Sequence, residues 1–267
     1  MKNGYKKKKK MTSGDKRKLV TSIVVIVLII VGGFLPDKDR DIPKDTGEIE
    51  TVENTQTESE QNVPKHTESF DLSNIPEFTG NPYVEINSNV PDFTADELSK
   101  AKTSYKNFSQ LDSLGRCGTA EASIGKDLLP TEDRTSIGMI KPSGWHTVRY
   151  DDLVDGNYLY NRCHLIAFCL SGENANRDNL ITGTRYMNCD GMLPFEEKTV
   201  RFVEDTGKHV LYRVTPVFND NELVARGVHM EAKSVEDNGQ GLSFNIYCYN
   251  NQPGISIDYS TGLSERK

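Results

Sequence analysis

Seventeen residues from Leu19 to Leu35 are apolar apart from Thr21, Ser22, Gly32 and Gly33, and nine basic side chains against the single Asp15 precede them in residues 1–18. At 1.5 Å per residue such a helix spans roughly 25 Å, the short end of what crosses a bilayer. A buried core helix of this composition gives no reason for a lysine cluster at one end. The positive-inside rule does, because it keeps residues 1–18 in the cytoplasm and sends the rest of the chain out. No small-x-small cleavage site follows Gly33, and the chain runs directly into Phe34-Leu35-Pro36-Asp37. We therefore expect an uncleaved single-pass membrane anchor at 19–35, with secretion after cleavage as the alternative.

Residues 36–74 carry four basic against eleven acidic side chains and almost no large apolar residue. Such a composition buries too little surface to offset the entropy of ordering, and the segment reads as a disordered acidic tether. Aromatic and β-branched residues return from about Ile75, which makes 75–267 the folded domain. Thr94 followed three residues later by Glu97 forms a capping-box pattern, and Leu98, Ala101, Tyr105 and Phe108 continue it at helical spacing. Segments 117–124, 147–151, 209–218, 223–234 and 242–249 have strand character. A second helix is expected from Pro194 to near Gly207, with Phe195, Thr199, Phe202 and Val203 on one side. These elements predict an α+β domain with a central, mostly antiparallel sheet. The cysteines at 117, 163, 169, 189 and 248 show no CxxC spacing, so a thiolate zinc site is not expected, and their odd number leaves at least one unpaired.

Chemistry concentrates in Tyr160-Asn161-Arg162-Cys163-His164 and in the Asn-rich sequence after it. In an extended segment Arg162 and His164 share a face, so a cation and a base can meet one phosphodiester. Cys163 would point the other way, which disfavours a Cys-His dyad. An isolated His is more often structural, an Asn at a loop-helix junction is usually a cap, and a Glu in a first helical turn is usually solvated. Composition alone therefore assigns no roles to Asn188 or Glu196.

Asn161-Arg162-Cys163-His164 resembles the Asp-Arg-Gly-His signature of the DNA/RNA non-specific endonucleases with a ββα-metal active site. The segments Leu180-Ile181-Thr182-Gly183-Thr184-Arg185-Tyr186-Met187-Asn188 and Gly191-Met192-Leu193-Pro194-Phe195-Glu196 are similar to the bacterial DNA-entry and secreted streptodornase-like members. The likeness extends upstream through Gly115-Arg116-Cys117-Gly118 and Lys141-Pro142-Ser143-Gly144-Trp145-His146-Thr147. Two departures stand out: Asn161 replaces the signature Asp, and Cys163 replaces Gly. The resemblance implies that His164 is the general base, Asn188 the principal Mg²⁺ ligand with Glu196 behind it, and Arg162 the group acting on the scissile phosphate. It implies Mg²⁺, with Mn²⁺ as an alternative, and DNA, with RNA as a second substrate, cut to 5′-phosphate and 3′-hydroxyl ends. A net charge of −7 excludes a generally polybasic binder, so a local groove lined by Arg162, Arg185 and Lys141 is expected to meet the backbone. No protein partner is implied. The rival readings are a non-catalytic surface receptor for DNA uptake and an extracellular hydrolase of another substrate using Glu196 and Glu231 as an acid/base pair.

Overall fold

A computed structural model describes residues 72–267. The basic segment 1–18, the anchor 19–35 and nearly all of the tether 36–74 lie outside the described residues. Among those described, no helix is long and apolar enough to cross a membrane. In chain order the main elements are β1 (Tyr83–Glu85), α1 (Ala95–Lys100), β2 (Tyr105–Phe108), β3 (Ala120–Ile124), β4 (Tyr160–His164), α2 (Phe168–Ser171), β5 (Leu180–Thr184), a π-helical segment Met187–Met192, α3 (Leu193–Thr206), β6 (Val210–Val217), β7 (Gly227–Ser234), β8 (Ser243–Tyr249), β9 (Ile255–Ile257) and β10 (Ser264–Arg266). Six strands form one sheet in the order β1-β8-β7-β6-β3-β2, every neighbour antiparallel. The pairs β4-β5 and β9-β10 stand apart from it.

Period-two alternation sorts the sheet into two faces. Ala120, Ala122, Tyr212, Val214, Met230, Phe244 and Ile246 belong to the main apolar cluster, joined there by Cys163, Leu165, Ile181, Met187, Met192 and Val203 from the β4-β5-helix unit. On β3, β6 and β7 the residues between them place Glu121, Arg213 and Glu231 together, and Arg213 also pairs with Glu97 of α1 and lies 4.6 Å from the Phe93 ring centroid. The β4-β5-helix unit is thus pressed against the apolar face of the sheet, and α1 covers part of the charged face.

Helix α1 carries the expected capping box: the Glu97 N–H donates to Thr94 Oγ1 at 3.2 Å and the Thr94 N–H to Glu97 Oε2 at 2.7 Å. It ends at Lys100, however, and Tyr105 and Phe108 lie in β2 rather than on a continued helix. Pairing with β3 supplies the backbone bonds that decide this, since Tyr105 opposes Ser123 and Phe108 opposes Ala120. The Tyr105 hydroxyl, donating to Glu121 at 2.7 Å, fixes the register further. Segment 147–151 makes only a single bridge, Arg149 to Tyr158, instead of a strand. Helix α3 has Pro at its start and ends at Gly207 in the left-handed conformation (φ 66°).

Candidate active site

Strands β4 and β5 are antiparallel, with Tyr160 opposite Thr184, Arg162 opposite Thr182 and His164 opposite Leu180. The chain then turns through the π-helical segment into α3, giving two strands and a helix around a cleft of about 680 Å³. Arg162, His164, Arg185, Asn188 and Glu196 all line it. Lys141 does not: its side chain is exposed on the loop before Trp145. Glu231 lies on the far face of the sheet, where it accepts from the Asp92 N–H at 2.7 Å and pairs with Arg213, so it shares no cleft with Glu196.

Cys163 points away from the cleft and is fully buried in the main cluster. Its side chain is accommodated because position 183, across the hairpin, is glycine. A Cβ there would meet the Cys163 Sγ at 2.3 Å and the Met187 Cε at 2.6 Å. Burial pushes the Cys163 thiol far up, which keeps it protonated. All five thiols are free.

The tautomer of His164 follows from its partners. Nε2 lies 2.9 Å from the carbonyl oxygen of Asn174, which can only accept, so Nε2 carries the proton and Nδ1 the lone pair. Nδ1 stands 3.4 Å from Nη2 of Arg134. Burial chiefly, and the Arg134 charge as well, hold His164 below its ordinary pKa, against the opposing pull of the Asn174 carbonyl. The ring is therefore neutral and basic at pH 7.

Arg134 and Asn174 were not legible as site residues in the sequence. Both act through the irregular chain before β4. The Asn174 amide donates to the Thr135 carbonyl at 3.1 Å and to the Thr135 hydroxyl, so one residue orients both the imidazole and the segment bearing Arg134. Arg162 holds a second part of the same segment. It donates from Nη2 to the Gly138 carbonyl at 2.8 Å and from Nε to the Ile140 carbonyl, with its guanidinium 4.0 Å from the centre of the Trp145 ring. The Asn179 side chain brackets Ile166, accepting from its N–H at 2.8 Å and donating to its carbonyl at 2.9 Å.

Glu196 is only 8% exposed, and its carboxylate makes neither a hydrogen bond nor an ion pair among the described residues. Burial raises its pKa to about 8, opposed by the charge of Arg134. A buried carboxylate without a partner is costly. The amide oxygen of Asn188 lines the same cleft and accepts no hydrogen bond from the described residues, while Nδ2 makes only a 3.6 Å contact with Cys189 Sγ. No group of three His, Cys, Asp or Glu side chains converges among the described residues. One amide oxygen and one unpartnered carboxylate do suit a hard divalent cation that keeps most of its waters.

A family model described as DNA/RNA non-specific endonuclease matches residues 97–236, just over half of the chain. Among solved structures, NucA from Streptococcus agalactiae is 28% identical. With a magnesium ion bound it superimposes at a TM-score of 0.62 over 73% of this chain and 91% of its own. With no metal bound the score is 0.60, over 73% and 92%. The Sda1 nuclease with bound zinc ion, 24% identical, shares the fold at a TM-score of 0.58 over 70% of this chain and 97% of its own.

Proposed function

The chain belongs to the DNA/RNA non-specific endonuclease family, and from that premise we propose that it hydrolyses the phosphodiester bonds of DNA, with RNA as a second substrate, in a divalent-metal-dependent reaction without sequence preference. The observation that carries the mechanism is the Nε2–H of His164 donating to the Asn174 carbonyl, which leaves Nδ1 as the proton acceptor in a cleft that also holds Asn188 and the unpartnered Glu196.

Nδ1 takes a proton from water as the water oxygen attacks phosphorus. The new P–O bond forms as the bond to the 3′ oxygen breaks; that oxygen takes a proton from solvent water and His164 returns its own to solvent, leaving 5′-phosphate and 3′-hydroxyl ends. Arg134, the cation beside His164, faces the charge that develops on the phosphate. Asn188 and Glu196 would hold Mg²⁺ or Mn²⁺, which when bound supplies positive charge for the phosphate and for the departing oxygen. Arg162 keeps the wall from Gly138 to Trp145 against the cleft, and the nitrogen it does not use there, Nη1, is the one left to meet phosphate. Arg185 extends the cationic lining. A positive cleft on an acidic molecule makes substrate binding salt-sensitive. The location we propose, outside the cell on a single-pass anchor at 19–35 with a secreted form as the alternative, rests on the sequence alone.

The test is the purified full-length chain with supercoiled plasmid in Mg²⁺, in Mn²⁺ and in excess chelator, followed by end-labelling of the products. Nicking that chelator abolishes, with 5′-phosphate ends, is expected. Cleavage that survives chelation would point instead to a metal-independent hydrolase, and tight binding with no cleavage to a receptor.

A further inference from the structure

The cleft does not stop at the reacting groups. Four alternate residues, Tyr158, Tyr160, Arg162 and His164, line it along β4 and the residues just before that strand. Two residues of strand advance about 6.7 Å, so Tyr160 stands roughly 13 Å along β4 from His164, and Tyr158 lies beyond it, past the bend at Leu159. The strand alone matches about four nucleotides of a stacked strand at roughly 3.4 Å each, and fewer when the strand is extended. The residues along it differ in character. Tyr160 is buried, and its hydroxyl donates to the Gly262 carbonyl at 2.9 Å, so it forms wall. Tyr158 is 46% exposed, a large ring open to solvent in the cleft, where Leu193 at 38% is the other exposed large apolar side chain. The Arg149 guanidinium sits 5.2 Å from its ring centroid, which favours the stacking of a further π-system.

Arg185 lies between the two ends. Its backbone N–H donates to the Leu159 carbonyl at 2.7 Å, which places it beside the strand between Tyr158 and Tyr160. Its side chain is held loosely: Nε is buried without a partner, and its ion pair with Asp155 is 3.7 Å long, to a carboxylate that is 96% exposed. A phosphate oxygen can take over that guanidinium at little cost.

We propose that this face of β4 is a track for single-stranded nucleic acid, in which Tyr158 stacks a nucleobase several nucleotides from the scissile phosphate and Arg185 binds a phosphate in between. The track rests on the endonuclease reading for its direction, since His164 marks the cut. Stacking requires a base free of its partner, so single strands and frayed ends are favoured over closed duplex, and the preference is for length rather than sequence.

The experiment measures equilibrium binding of single-stranded DNA to the full-length protein in chelator, where nothing is cut. Tetramers and decamers carrying 2-aminopurine serve as probes. Wild type should bind the decamer more tightly than the tetramer and quench the fluorescent base at one position. Tyr158→Ala should weaken decamer binding roughly 5- to 150-fold and abolish the quench, with the tetramer unchanged and Tyr158→Phe close to wild type. An abasic residue scanned along the decamer should reproduce the loss at one position in wild type and have no effect in Tyr158→Ala. Arg185→Ala should lower the salt dependence by about one phosphate contact. Equal decamer binding by wild type and Tyr158→Ala, a flat abasic scan, or equal affinity for a decamer duplex would overturn the track. The two readings fail separately: plasmid cleavage with no Tyr158 effect removes the track alone, and a Tyr158-dependent decamer complex without cleavage removes the nuclease alone.

Discussion

In the proposed reaction His164 serves as the base because its surroundings disfavour a second proton. Turnover should therefore rise with pH through an apparent pKa below 6.5, and Arg134→Ala should move that limb upward while slowing the reaction. His164→Ala should lower turnover by roughly 10² to 10⁴ in a protein with unchanged circular dichroism. Asn188→Ala should raise the Mg²⁺ concentration at half-maximal rate, and superimposable metal titrations would remove it from the ligand set. Glu196 titrates in the opposite sense to a paired carboxylate. Its pKa rises on folding from an ordinary 4.5 to about 8. A group that holds its proton more tightly when folded stabilises the protein below its unfolded pKa, and that contribution disappears as pH rises through the folded value. In chelator the melting temperature of wild type should fall between about pH 4.5 and 8 relative to that of Glu196→Gln, and Mg²⁺ should restore part of the loss. Parallel melting curves for the two proteins would show that Glu196 does not carry the charge.

At the scale of elements, the β4-β5 hairpin and the helix after it depend on one complementary pair across the strands. Cys163 fills the space that Gly183 leaves. Gly183→Ala should cost about 1–3 kcal/mol in denaturant unfolding, because Cys163 and Met187 sit within the packed core and have little room to yield. Removing the thiol in the same chain, as Cys163→Ala, should recover part of that cost, so the double variant should be more stable than the sum of the two single losses predicts. Strict additivity would mean that the strands do not depend on this contact. Arg162 is an element-scale residue for a similar reason, since it ties β4 to the Gly138–Ile140 backbone and to Trp145. Arg162→Lys retains the charge but cannot serve two carbonyls and a ring at once.

For the whole molecule, the charge segregation along the chain predicts where it resides. Protease applied to intact cells should remove the nuclease domain, while the membrane fraction should contain the full-length chain. Recovery of a shortened chain only in the medium, beginning after Gly33, would show a cleaved leader instead. The separation of charge within the fold has its own consequence. The Arg213 group with Glu97, Glu121 and Glu231 lies across the sheet from the apolar core, so the cations of the cleft are not neutralised by it.

What could be read from the sequence was set by neighbours along the chain. The Thr94-Glu97 cap, the Pro194 start and Gly207 stop of α3, and the opposite directions of Cys163 and His164 follow from local bonding and from periods of 3.6 and 2. The residue types of Arg162, Arg185, Asn188 and Glu196 were legible as well, through the motifs that carry the family resemblance. Tertiary structure decided the rest. Tyr105 and Phe108 satisfy a helical spacing, but a partner strand eighteen residues away in the register of Tyr105 with Ser123 outweighed it. Lys141 sits in a matching motif yet is exposed and does not line the cleft. Arg134 lies thirty residues before His164 in irregular chain, and only the bonds that Asn174 and Arg162 make to that chain bring it to the imidazole. The unusual acidity constant of Glu196 comes from burial without a partner, which depends on atoms distant in sequence and close in space.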